Sequence, residues 1–151
     1  MFKSQSTEWE TPPVLFDALD RRFHFSLDVC ATSENAKCAS YYTVDDDALS
    51  QPWTGNVWCN PPYARDIPKF LGKARKELEA LQCDVVVCLL PARTDTKWFH
   101  SYVWDNVSHH PRTGVSVEFL SGRLRFVGAP SSAPFPSMLV ILRPRGKEPC
   151  L

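Results

Sequence analysis

The stretch that decides the fold is Asn56-Val57-Trp58-Cys59-Asn60-Pro61-Pro62-Tyr63. Val57 to Cys59 is a short apolar run that reads as a buried strand. It halts at an amide, two prolines and an aromatic ring. Prolines donate nothing to a sheet ladder, so the strand ends there and the chain leaves in an extended turn. In an open α/β sheet, ligands bind just outside the carboxyl ends of the strands. Asn60 and Tyr63 are therefore expected at the mouth of a pocket.

These residues offer a specific chemistry. The Asn60 side-chain carbonyl and the Pro61 backbone carbonyl are both acceptors. Together they can hold the two hydrogens of a planar amino group and leave its nitrogen lone pair free. Tyr63 can stack on the flat ring that carries the amine, a contact worth about 1–3 kcal/mol for a nucleobase. A plainer reading stands beside this one: a proline turn, Pro61-Pro62, with Asn60 as a cap and Tyr63 as packing.

Asn60-Pro61-Pro62-Tyr63 resembles the catalytic motif of S-adenosylmethionine-dependent amino-methyltransferases, which methylate adenine N6 in DNA or a glutamine amide in protein. Other stretches follow the same pattern: Trp9-Glu10-Thr11-Pro12-Pro13, Leu27-Asp28-Val29-Cys30-Ala31, Leu90-Pro91-Ala92-Arg93-Thr94-Asp95-Thr96 and Gly122-Arg123-Leu124-Arg125-Phe126. As a set they resemble the phage Dam-like DNA N6-adenine methyltransferases. The resemblance runs from about Trp9 to Leu142. It implies a compact Rossmann-like α/β methyltransferase fold, with a mostly parallel sheet and an antiparallel C-terminal hairpin. It implies S-adenosylmethionine as cofactor, DNA as partner, and catalysis at Asn60, Pro61, Pro62 and Tyr63.

The cofactor residues follow from the same resemblance. Thr11 and Pro12 would border the methionine end of the cofactor, and Thr11 also reads as the N-cap of a helix. Asp28 resembles the acidic position of the first cofactor motif. The usual glycine-rich loop is replaced by Ala31-Thr32-Ser33, whose small side chains, with Cys30, still admit a ligand close to the backbone. An acid there suits a cationic sulfonium better than a phosphate, although a lone Asp at a strand end can equally cap the next turn. Asp47 and Leu49 resemble the adenine-binding turn, against the reading of Asp45-Asp46-Asp47 as a solvated loop. Glu34 is the nearest acid for the ribose hydroxyls.

With 151 residues, the chain reads as one domain without a separate target-recognition domain. No apolar run reaches the roughly 20 residues of a membrane span, and no signal peptide is evident. A cytoplasmic location is expected, in the bacterial host if a phage encodes the chain. The six cysteines lack metal spacing and read as reduced, with no zinc site. The net charge of zero makes only a modest electrostatic case for nucleic acid. Arginines do accumulate after Arg112, and a homodimer would help so small a protein cover a DNA target.

In chain order, Pro13 starts a helix with an apolar stripe through Val14, Leu15, Ala18 and Leu19. Phe23 to Val29 reads as a strand and as the central one. Thr32 to Thr43 is polar and poorly periodic. Ile67 to Leu81 is an amphipathic helix, and Asp84 to Leu90 is a continuous β-branched strand of the parallel kind. Arg93 and Lys97 are placed to contact phosphate, whereas Trp98 and Phe99 read as core. Val115–Leu120 and Arg123–Val127 read as two strands joined at Ser121-Gly122. Arg123 and Arg125 then share one side, either as a phosphate-binding ridge or as an ordinary exposed face. Met138 to Leu142 is a last buried strand. Two other functions fit the same residues: a protein glutamine amide methyltransferase, and a non-catalytic DNA-binding protein on a degenerate methyltransferase fold.

Overall fold

The computed structural model describes residues 9–62 and 64–146, so Tyr63 lies outside the described residues. Helix α1 (Pro13–Phe23) opens the fold, with Pro12 at its cap position and no side-chain capping bond. The expectation that Thr11 caps this helix is corrected here: Thr11 is buried and its hydroxyl is used elsewhere. The helix stops at His24, whose left-handed conformation lets its N–H close onto the Asp20 carbonyl. The strand expected from Phe23 is therefore shorter, because Phe23 is still helical and packs in the core. Only Leu27–Asp28 pairs, as β1.

A six-stranded sheet follows, built from β1, β2 (Ser40–Tyr41), β3 (Gly55–Cys59), β4 (Cys83–Pro91), β7 (Val115–Phe119) and β8 (Ser137–Leu142). Their spatial order is β2-β1-β3-β4-β8-β7. The first four run parallel, β8 is antiparallel to β4, and β7 is antiparallel to β8. β1 is thus off-centre, and β3 and β4 hold the middle. β4 and β8 are buried along nearly their whole length, as their aliphatic runs require. A short pair, β5 (Trp104–Asp105) with β6 (His110–Pro111), lies outside this sheet.

Between β3 and β4 runs α2 (Ile67–Glu79), which buries Ile67, Phe70, Leu71, Ala74 and Leu78. Leu81, expected on that apolar stripe, is instead exposed, beyond the helix end and in a left-handed conformation. The C-terminal hairpin also differs from expectation. β7 pairs with β8, and residues 123–127 form no strand. Buried Phe126 joins Trp9 and Phe135 at 5.3 and 6.2 Å between ring centroids. Backbone bonds go to that docking, from Val127 N–H to the Glu10 carbonyl and from Ala133 N–H to the Leu124 carbonyl. Aromatic burial here outweighs a second ladder.

The strand order determines where a ligand can sit. From β1 the chain steps outward to β2 and then returns to β3 on the other side. The carboxyl ends of β1 and β3 therefore flank the point where the winding reverses, which is where α/β sheets open a crevice.

Candidate active site

A cavity of about 680 Å³ lies at that reversal, within the range of small-molecule sites. Asp28 to Asn35 after β1, the Thr43–Leu49 turn, Asn60 to Pro62 after β3, and Trp9 to Thr11 all contribute to its walls. Of the residues expected to hold a cofactor, Thr11, Asp28, Cys30, Ala31, Asp47, Leu49 and Asn60 line the cavity, as does Glu34. Pro12 does not. It is used to start α1, its carbonyl accepting from Phe16 N–H at 3.1 Å.

Asn60 is held in one orientation. Its Nδ2 donates to the Trp9 carbonyl at 2.5 Å and to Thr11 Oγ1 at 3.1 Å. A backbone carbonyl only accepts, so the group facing Trp9 must be the NH2, and the assignment of the two amide ends follows from chemistry. Asn60 Oδ1 is then left buried with no hydrogen-bond partner among the described residues. A buried acceptor without a partner costs about 1–3 kcal/mol. It marks a place where a donor from a bound molecule belongs.

Asp28 serves the loop first. It is 2% exposed, with Oδ1 accepting from Cys30 N–H at 3.1 Å and Oδ2 from Lys37 N–H at 3.0 Å. Burial raises its pKa, and the bonds to Lys37 and Cys30 offset that only partly. The loop after β1 is shaped by this carboxylate where a glycine-rich turn was absent. Asp47 takes a left-handed conformation and accepts from Ser50 Oγ at 2.6 Å, beside partly buried Leu49.

The cavity is acidic. Glu10, Asp28, Glu34, Asp45, Asp47 and Asp66 line it against Lys37 and Lys69. Both lysines are already engaged, Lys37 with Glu10 at 3.7 Å and Lys69 with Asp66 at 3.6 Å. The remaining carboxylates leave a negative field that favours a cationic ligand and repels phosphate. Thiol chemistry is not on offer. Burial pushes the Cys30 and Cys59 thiols up, and Cys88 is raised by its bond to Cys59 and by burial. Among the described residues no cluster of His, Cys, Asp or Glu could hold a metal ion.

The arginines expected at DNA lie outside the cavity. Arg93, Lys97, Arg123 and Arg125 are all exposed. Arg93 stacks over Phe135 at 5.6 Å, and Arg125 Nε donates to the Ala129 carbonyl at 3.1 Å, which ties both to the aromatic cluster around Trp9. Trp98 and Phe99 are core, as expected. Sequence reasoning missed the Trp9 carbonyl, because a main-chain acceptor leaves no trace in residue type. It also missed Lys37, Lys69 and Phe70 as lining residues; the helical stripe through Phe70 signalled only burial.

A model of the DNA N-6-adenine-methyltransferase (Dam) family matches residues 1–150. The chain belongs to this family. Among the Dam-family relatives is the DNA N-6-adenine-methyltransferase of Haemophilus phage HP1 (strain HP1c1), 34% identical over 100 residues. That match covers 64% of this chain and 57% of the phage protein, little more than half of the relative's length. The fold matches the crystal structure of the 23S rRNA methyltransferase ErmE with a TM-score of 0.50 at 15% identity, over 95% of this chain and 66% of that one. At that identity the likeness speaks for the fold alone. It is the Rossmann-like methyltransferase fold, with the mixed sheet described above. Among the described residues no helix is long and apolar enough to cross a membrane.

Proposed function

We propose that the chain transfers a methyl group from S-adenosylmethionine to the exocyclic N6 amine of an adenine everted from DNA. The observation that carries this reading is the locked Asn60 amide, whose Oδ1 is buried and unpartnered. The negative cavity suits a ligand bearing a sulfonium and an ammonium group. When bound, S-adenosylmethionine supplies an electrophilic methyl carbon, and its C–S electron pair leaves with sulfur as a neutral thioether.

The chain's own part is to orient and to exclude. Asn60 Oδ1 and the Pro61 carbonyl accept the two amine hydrogens, so the nitrogen lone pair points away from the ring system. Both acceptors are neutral. They stabilise the positive charge growing on nitrogen, and the proton is shed to water after transfer. Tyr63 stacks on the adenine, and Pro62 fixes the turn between them. Arg93, Lys97, Arg123 and Arg125 hold phosphates beyond the acidic cavity. A paired, stacked adenine cannot reach Asn60, hence the eversion.

Calorimetry with S-adenosylmethionine and nucleoside analysis of methylated DNA test this directly. A folded protein that binds no cofactor at millimolar concentration overturns it. A glutamine amide would use the same two carbonyls, but the exposed arginines beyond the cavity favour a polyanion over a peptide. Methylation of protein and not of DNA would reverse that preference.

Thr11 should act as a positioning residue. Thr11→Val keeps the shape but removes the acceptor that holds Asn60 Nδ2. A hydrogen bond of about 1 kcal/mol corresponds to a fall in kcat of five- to tenfold or so, with little change in cofactor affinity. Thr11→Ser should restore the rate. Equal loss in both variants, or none in Thr11→Val, removes Thr11 from this role.

Asp28 makes cofactor affinity depend on pH. Its pKa in the folded chain lies above the ordinary value, chiefly through burial. As pH falls through that raised value, Asp28 becomes neutral and the cavity loses a negative charge. Affinity for the cation should therefore fall, in a window above the usual aspartate pKa of about 3.9. Without ligand the sign reverses. The folded chain then holds a proton that the unfolded chain has lost, so Asp28's contribution to stability rises as pH drops through the same window. Calorimetric titrations across the window check this, and a flat affinity excludes Asp28 as a partner of the positive charge.

A further inference from the structure

Between β7 and β8 the chain builds a small rigid tip. Phe126-Val127-Gly128-Ala129 is a β-turn closed by Ala129 N–H on the Phe126 carbonyl at 3.0 Å. Gly128, with φ of +80°, supplies the left-handed third position that a type II turn demands. Three further contacts hold the turn, two of them to the catalytic end of the fold. Val127 N–H donates to the Glu10 carbonyl at 3.0 Å, Arg125 Nε to the Ala129 carbonyl at 3.1 Å, and the Phe126 ring packs on Trp9.

On this base the Val127 side chain is 47% exposed and lines the mouth of the cavity that contains Asn60. Arg123 and Arg125, both exposed, precede it in the same segment. Resting on the function proposed above, we infer that Val127 is the wedge that enters the base stack in place of the everted adenine. Eversion leaves a gap beside the neighbouring base pairs, and proteins that unstack DNA fill such gaps with apolar side chains. The role needs an apolar tip held in place before DNA arrives, next to the pocket that receives the base, with cations nearby for the flanking phosphates. Val127 meets each requirement.

Other exposed apolar residues do not. Val14, Val107 and Phe119 do not line the cavity. Val44 lines it and is 91% exposed, but it sits in the acidic turn before Asp45, where backbone phosphates are repelled.

The test compares single-turnover methylation by wild type and Val127→Ala on two DNAs. In one the target adenine is paired; in the other it lies opposite an abasic site, unpaired, so that eversion costs less. Val127→Ala should be roughly tenfold slower on the paired duplex and close to wild type on the other. Val127→Leu should keep most of the paired-duplex rate. With 2-aminopurine at the target position, the fluorescence rise on binding should shrink in Val127→Ala. Equal loss on both DNAs makes Val127 a wall of the adenine pocket and overturns the wedge, as does no loss on either. If wild type methylates neither DNA, the function proposed above fails and the wedge falls with it. A thermal melt of each variant separates these results from misfolding.

Discussion

Replacing Asn60 by alanine is expected to slow methyl transfer by about 10²–10³-fold, the scale of losing one preorganised hydrogen-bonding group in an active site. The Asn60 side chain has little freedom. Its NH2 is held by the Trp9 carbonyl and Thr11 Oγ1, so Oδ1 can serve nothing else. Alanine removes the acceptor and leaves the rest of the cavity in place. The adenine amine then loses the partner that keeps its lone pair directed. DNA affinity should persist, because phosphate contacts dominate it. Single-turnover rates with saturating DNA and cofactor, beside a filter-binding measurement, check both halves. A folded Asn60→Ala that methylates at the wild-type rate removes Asn60 from the chemistry.

What the sequence revealed of this site was governed by whether a residue's role lay in its own pattern or in a distant partner. β3 and its proline stop were legible because Val57, Trp58 and Cys59 are apolar and Pro61 cannot continue a ladder. β4, β8 and α2 were legible for the same reason, each carrying a periodicity that burial imposes. β2 was not, since Ser40 and Tyr41 at the sheet edge need no apolar signal.

The misreadings have two causes, one local and one tertiary. Phe23 alternates with Phe25 like a strand residue, yet it ends α1 because His24 can adopt a left-handed cap. Arg123 to Phe126 alternate exposed and buried as a strand would, yet Phe126 is drawn onto Trp9, more than a hundred positions away. Thr11 before two prolines has every local mark of a helix cap, and its hydroxyl instead takes a bond from Asn60. In the last two cases a tertiary partner overrides a local preference, and a single sequence does not show that partner. The aromatic cluster of Trp9, Phe126 and Phe135 sits where these two overrides meet. It brings the strap that holds Asn60 against the segment that carries the arginines.

Trp58→Ala is expected to have the largest effect on stability, about 3–5 kcal/mol. Trp58 is 1% exposed in β3, paired between Asp28 of β1 and Val87 of β4. Its ring meets Phe16 of α1 edge-on at 5.4 Å and Phe25 at 5.5 Å, so it joins the helix to the sheet directly beneath the cavity it helps to line. Alanine would leave a void under both. Against a total stability of about 5–15 kcal/mol, such a loss is a large share. With about 2–4 °C per kcal/mol in a domain of this size, the melting temperature should fall by roughly 6–20 °C. Trp58→Phe, which keeps an aromatic ring against Phe16, should lose much less. Cofactor affinity should follow the same order, because the cavity floor and the core are here one side chain. A Trp58→Ala protein that melts within about 2 °C of wild type would mean that α1 does not rest on β3 through this ring.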